Sequence, residues 1–264
     1  MSTETLHVQT FGEPAGPAVL AVHGVYGHGG RWRELAEGYL ADFCVYAPDL
    51  NGQGRSLWSP PWTLEQHVAD VLATMNELGL EQVDALGFSF GAVVLLHLAD
   101  KAPERVRRLV LLDPAVGLDA DAAAKSAATA LAAPSFSDRA EARTARATSW
   151  PSASQDAVDR EITDYLMQGE DNRWRWRYHP ESIATAYAEM ARPPIVPPCG
   201  VPTLLVRATE SNVVRPDYLT ACHAAGVEVV DVNSGHQLLL ERLADTGGLV
   251  RKFLDQPPTE TQDH

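Results

Sequence analysis

The chain has 264 residues, 45% of them hydrophobic and 21% charged, and carries a formal net charge of −14. This length and composition fit one α/β core with an insertion rather than a fibrous or disordered chain. The acidic excess repels both nucleic acid and anionic membrane surfaces, so neither is an expected partner.

The opening stretch, MSTETLHVQTFGEP, has no basic n-region and no apolar h-region. It predicts no secretion signal and a cytoplasmic protein. No apolar run approaches the roughly 20 residues that a membrane span needs. Residues 18–22 (AVLAV) read as a strand ending at His23-Gly24, and residues 43–47 as the next, ending at Pro48-Asp49. Leu64, Val68, Val71, Leu72, Met75 and Leu78 keep the spacing of one helix face. A third strand, 83–86, runs into Gly87-Phe88-Ser89-Phe90-Gly91, and an apolar helix carrying Val93, Leu96 and Leu98 follows. Residues 108–112 form a fourth strand ending at Asp113-Pro114. Apolar runs alternating with helices imply a parallel sheet covered on both faces.

The alternation stops between about residues 115 and 198, where no convincing strand is read. That stretch holds an alanine-rich tract (119–133) and helix-like segments at 155–167 and 181–190, and it leaves through a Pro-rich exit at 193–198. It reads as a helical insertion lying over the sheet. Strands at 203–206 and 227–232 resume the pattern. Cys44, Cys199 and Cys222 lack C-x-x-C spacing. They read as buried thiols in a reducing compartment, not as disulfides or zinc ligands. The basic runs 105–108 and 173–177 read as solvated faces with packed tryptophans rather than as single-strand binders.

G-x-S-x-G is a short motif, and its placement between a strand and a helix is what counts: there it forms a nucleophile elbow that pushes Ser89 out of the sheet. A serine merely capping the helix would explain Ser89 but not both flanking glycines. A serine hydroxyl needs a base, and the base needs an orienting acid. His236, in Ser234-Gly235-His236 just past the last strand, lies at the sheet end that also carries Ser89 and is the candidate base. For the oxyanion hole, the expected donors are the N–H groups of Phe90, after the nucleophile, and of Val25, in the glycine-rich 23–27 loop. That loop lacks the Gly-Lys-Ser/Thr ending of a phosphate loop, and Gly52-Gln53-Gly54 lacks the third glycine of a dinucleotide site.

Jointly, the His23-Gly24 loop, the run Asp49-Leu50-Asn51-Gly52-Gln53-Gly54-Arg55-Ser56, the Ser89 elbow and Ser234-Gly235-His236 resemble the α/β-hydrolase fold family over nearly the whole chain. The resemblance implies an eight-stranded, mostly parallel sheet with helices on both faces, a helical cap after the sixth strand, and the order nucleophile, acid, histidine. Serine at the elbow is similar to the esterases and lipases of the fold and unlike its epoxide hydrolases and haloalkane dehalogenases, which carry aspartate there. The expected division is a core of 1–115 and 196–256, a cap of 116–195, and a frayed tail at 257–264. One position departs from the family. Its common acid turn, G-x-x-D after the seventh strand, reads Ala208-Thr209-Glu210-Ser211, with Ser211 in place of the aspartate. The candidate acid is Asp113, where some relatives keep theirs, with Glu210 as the alternative and Asp217 or a degraded triad behind both.

These residues predict a serine hydrolase cleaving a small or medium apolar carboxylic ester by two-step acyl transfer. The expectation includes no metal or organic cofactor, and a small-molecule substrate as the partner. Tyr26, Trp150, Trp174 and Trp176 are the candidate substrate contacts, although each tryptophan equally fits a role in pinning the cap to the core. A carbon–carbon bond hydrolase of the same fold, or a slow-turnover ligand receptor retaining the fold, are the alternatives.

Overall fold

The computed structural model describes residues 5–256, so the predicted 257–264 tail lies outside the described residues. In chain order the elements are β1 (Val8–Gly12), β2 (Ala18–Val22), α1 (Arg33–Tyr39), β3 (Cys44–Pro48), α2 (Leu64–Glu77), β4 (Val83–Phe88), α3 (Phe90–Lys101) and β5 (Val106–Leu112). Then come α4 (Ala120–Leu131), α5 (Arg139–Ser149), α6 (Gln155–Asp164), β6 (Leu166–Gln168), β7 (Trp174–Trp176) and α7 (Pro180–Met190). The chain closes with β8 (Thr203–Ala208), α8 (Pro216–Ala224), β9 (Glu228–Val232), α9 (Leu238–Glu241) and α10 (Leu243–Leu254).

Among the described residues seven strands form the main sheet in the order β1-β3-β2-β4-β5-β8-β9, parallel throughout except for β1, which runs antiparallel to β3. The expected eight strands are thus seven, and the insertion follows the fifth strand rather than the sixth. The one strand beyond the six read from sequence, β1, lies at the sheet edge with only Phe11 buried, so it shows no continuous apolar run. Central strands do show one: β2, β4 and β5 are buried along nearly their whole length.

Both sheet faces are covered. Leu64, Val68, Val71 and Met75 of α2 pack with α3 and the inner strands on one face, each side chain contributing roughly 2 kcal/mol. Trp32, Leu35 and Ala36 of the α1 region join Val250, Phe253 and Leu254 of α10 on the other. Helix α2 starts where the Thr63 side chain accepts the Gln66 N–H, while Asp119, Asp138 and Ser154 cap α4, α5 and α6 in the same way.

The insertion differs in detail from its expectation. Its middle contains the hairpin β6–β7, with Leu166 opposite Trp176 and Gln168 opposite Trp174. The helix expected over 155–167 therefore stops at Asp164. Three-residue strands are too short to carry a period-2 signal, and here they adjoin a helical one. Backbone bonds stitch the insertion to the loop after β3: the Gly54 N–H donates to Arg177 O at 2.8 Å and the His179 N–H to Gly52 O at 2.7 Å. Of the three thiols Cys44 and Cys222 are buried, but Cys199 is exposed, in the turn before β8. Nor is the 105–108 run simply solvated. Arg107 forks onto the buried Asp84 carboxylate at 3.0 and 2.8 Å, and Arg108 is itself buried beside it. Among the described residues no helix is long and apolar enough to cross a membrane.

Candidate active site

Ser89 stands between β4 and α3 with φ 54° and ψ −116°, a backbone conformation that L-residues rarely adopt. The turn is this tight because nothing larger fits around it. A Cβ on Gly91 would lie 2.1 Å from Val22 O, and one on Gly24 would lie 2.9 Å from the Ser89 Cβ. The Ser89 N–H donates to Leu112 O at 3.0 Å, which ties the elbow to the neighbouring strand. The helix that follows is almost wholly buried, so the turn cannot relax outward.

His236 arrives from the β9–α9 loop. Its Nε2 lies 3.0 Å from the Ser89 Oγ, and its Nδ1 lies 2.6 Å from Asp113 Oδ2. With the proton on Nδ1, the ring donates to Asp113 and accepts the serine O–H. The Phe88 ring leans on the imidazole with centroids 4.9 Å apart. Asp113, fully buried with φ 41°, uses its other oxygen, Oδ1, to accept the Ala208 N–H at 3.0 Å. The structure thus brings Asp113, not Glu210, to the imidazole. Glu210 is exposed, and its N–H donates to Ser234 O at 3.0 Å, so its backbone braces the histidine loop while its side chain faces outward. Asp217 is also exposed, in the first turn of α8, facing Arg215.

A carboxylate that sequence reasoning did not single out holds the histidine turn. Glu241 Oε2 accepts the Gly235 N–H at 2.7 Å and the Ser234 hydroxyl at 3.1 Å. Glu241 follows His236 by five residues, across the turn into α9, and that turn chemistry was the available signal.

The 23–30 loop passes over the elbow on a polar scaffold. His23 Nδ1 donates to Gly24 O at 2.7 Å and its Nε2 accepts the Leu50 N–H at 3.0 Å. Burial pushes the His23 imidazole down to about 3, so it stays neutral. Gln53 accepts the Gly27 N–H at 3.2 Å and Asp49 accepts the Gly29 N–H at 2.6 Å. Burial raises the Asp49 carboxyl above its ordinary value, while backbone donors at Arg55 and Gly29 oppose the shift. The stretch 49–56 thus supports the loop. Val25 lies in this loop, and Phe90 is the first residue of α3, where an N–H has no acceptor within its own helix.

The expected substrate contacts separate into three environments. Tyr26 has φ 58° and is half-buried, its ring 5.0 Å edge-on from that of Tyr178 in the insertion. Burial, with Tyr187 and Tyr178 nearby, raises the Tyr26 phenol well above its ordinary value. Trp150 is buried between two guanidiniums, with Arg31 4.6 Å and Arg146 4.4 Å from its ring centroid. Trp174 and Trp176 pack with Phe136, Ala142, Ile162 and Leu166 in a small core inside the insertion. Their placement there reflects β7, which needs an apolar partner for its own two-stranded ribbon. Among the described residues no group of three or more His, Cys, Asp or Glu side chains is placed to hold a metal ion.

The fold and the serine turn together define the class: this is a hydrolase. The chain belongs to the α/β-hydrolase fold family, whose model matches residues 17–243. Lipase LipV of Mycobacterium tuberculosis is 37% identical over 256 residues, which are 94% of this chain and 97% of that protein. A pimeloyl-(acyl-carrier protein) methyl ester esterase of Vibrio parahaemolyticus is 39% identical over 110 residues, 42% of this chain and 40% of its own length. Among solved structures, E-2-(acetamidomethylene)succinate hydrolase matches with a TM-score of 0.85 at 22% identity, over 95% of each chain, a likeness of fold alone. The chain is a lipase/esterase-type member of the family.

Proposed function

We propose that the protein hydrolyses a small or medium apolar carboxylic ester through an acyl-enzyme on Ser89. The observation that carries this reading is the unbroken string Ser89 Oγ–His236 Nε2 at 3.0 Å and His236 Nδ1–Asp113 Oδ2 at 2.6 Å. Ser89 Oγ attacks the ester carbonyl as its proton passes to His236 Nε2, and the carbonyl oxygen becomes an oxyanion held by the Val25 and Phe90 N–H groups. Collapse breaks the C–O bond, and the imidazolium returns the proton to the departing alkoxide. Water, deprotonated by the same nitrogen, then attacks the acyl-enzyme and frees the acid and Ser89. Asp113 keeps the imidazole in the tautomer that presents a lone pair to serine. Residues 116–195 serve as a cap over this site, meeting the Tyr26 ring of the core through Tyr178.

The test is labelling with a fluorophosphonate, read by peptide mass, beside a p-nitrophenyl ester panel of increasing acyl length. Labelling at Ser89, turnover that falls off with acyl length, and loss of both in Ser89→Ala are expected. A Ser89→Ala protein that still turns over the esters overturns the proposal.

A further inference from the structure

A mostly apolar cavity lies beside the elbow, walled by Gly24, Trp32, Phe88, Leu239 and Leu240 with His23 and Gln237, and Arg31 is the one cation in that wall. It adjoins the reacting groups, since Gly24 abuts the Ser89 Cβ and Phe88 abuts the His236 ring. Arg31 is in turn part of a buried charge cluster. Its Nη2 lies 2.7 Å from Glu161 Oε1, and the Arg146 Nη2 lies 3.1 Å from that same oxygen. His28 Nε2 donates to Glu161 Oε2 at 2.6 Å. Burial drives the His28 imidazole down to about 3, so this contact brings no positive charge. Burial works to raise the Glu161 carboxyl, yet Arg31, His28 and Arg146 together hold it well below its ordinary value, so it is an anion.

Two guanidiniums therefore share one carboxylate, which leaves one positive charge in excess in a mostly dehydrated place. Uncompensated buried charge is costly, and a second anion would offset the cost. The Nε atoms of Arg31 and Arg146 are both buried and have no hydrogen-bond partner. Burial, with Arg31 adding to it against the pull of Glu161, lowers Arg146 to about 10. A second cavity, which shares Arg31, Leu239 and Leu240 with the first, carries Arg33 and Arg160 together with Glu34 and Asp164, where added charges balance. The imbalance thus favours the elbow side, where Arg31 is the one charged group in a wall whose other polar residues, His23 and Gln237, are neutral.

We infer that the substrate is an ester bearing one carboxylate remote from the scissile bond, with its chain along Phe88, Leu239 and Leu240 and its carboxylate on Arg31. This deepens the acyl-enzyme reading above and rests on it. A mostly apolar cavity with one cation in its wall selects for a half-ester of a dicarboxylic acid and against a fatty ester of equal length, whose methyl end would bury against Arg31 without pairing it.

The experiment compares methyl half-esters of straight-chain dicarboxylic acids with methyl esters of the monocarboxylic acids of equal chain length, by pH-stat at pH 7.5. A tenfold or larger kcat/KM advantage for the half-ester is expected at some chain length. In Arg31→Met that ratio, taken within the same preparation so that partial misfolding cancels, should fall to about one, while Arg31→Lys should keep part of it. A wild-type ratio of one, or an advantage untouched in Arg31→Met, overturns the inference. Fluorophosphonate labelling of the same samples keeps the two readings apart. Labelled Ser89 with no anion preference removes the carboxylate proposal only, whereas no labelling and no hydrolysis of either series removes the serine mechanism beneath it.

Discussion

Acidification should destabilise this fold through buried histidines outside the triad, and His67 isolates the effect. His67 lies in α2 with its side chain buried and its ring edge-on to Phe90 at 5.4 Å. Burial alone pushes it down from 6.5 to about 4; burial, opposed by the Gly24 hydrogen bond and helped by His28 and Arg31, pushes His23 from 6.5 to about 3. A folded value below the unfolded one means that the unfolded chain takes up the proton first. The stabilising difference is therefore complete above about pH 6.5 and is lost as the pH falls toward the folded value. At pH 5.5 the unfolded imidazole is protonated about ten to one, while folded His67 remains almost wholly neutral. The loss down to that pH depends on the ordinary value and hardly on how far below it the folded value lies. It amounts to between one and two kcal/mol per histidine, roughly 3 kcal/mol for His23 and His67 together. Urea unfolding at pH 7.5, 6.5 and 5.5 measures it. His67→Leu, neutral at every pH, should show a shallower fall. With a slope of about 3 kcal/mol per molar urea, its midpoint should drop about 0.5 M less than that of the wild type between pH 7.5 and 5.5. Carboxylates common to both proteins cancel in the comparison. Parallel pH curves for the two proteins would refute the claim that His67 is neutral because it is buried.

Other substitutions test the site itself. Asp113→Asn should cost about 10³–10⁴-fold in kcat with the protein still folded, because an amide facing Nδ1 favours the tautomer that turns an N–H toward Ser89; Glu210→Gln should stay within about threefold of wild type, and the reverse result would move the acid to Glu210. Glu241→Ala removes the acceptor for the Gly235 N–H and the Ser234 hydroxyl; kcat should fall about ten- to a hundredfold with KM little changed and the melting temperature within a few degrees, whereas a rise in KM alone would contradict a role in placing His236.

How much of this was visible beforehand follows from where each signal resides. Strands buried on both faces are apolar over most of their length, so β2 and the later parts of β4 and β5 stand out as continuous runs. The edge strand β1 buries one residue and does not. Helix α5 went unread because only Ala142 of its residues is buried, and the rest are small or polar side chains with no apolar stripe. Ser89 was legible because steric demand is local: the glycines that permit the turn lie two residues to either side. Partners joined by folding carry no such mark. Glu161 meets His28 and Arg31 across 133 and 130 residues of chain, and nothing near either end of that separation announces it.

The choice between Asp113 and Glu210 shows the same limit at its sharpest. Both stand at the end of a strand on the correct edge of the sheet, and the two strands, β5 and β8, are hydrogen-bonded neighbours. One feature separates them, the direction of the chain as it leaves the strand. Asp113 turns at φ 41° and stays inside the sheet's edge, where Ala208 at the end of β8 donates to it. Glu210 lies two residues beyond Ala208, already past the strand, with its side chain in solvent. A carboxylate can orient an imidazole only if water does not compete for it, so burial decides between two groups of equal chemistry. Burial at a loop is set by the packing of strands far apart in sequence, which is why composition and spacing alone left both candidates standing.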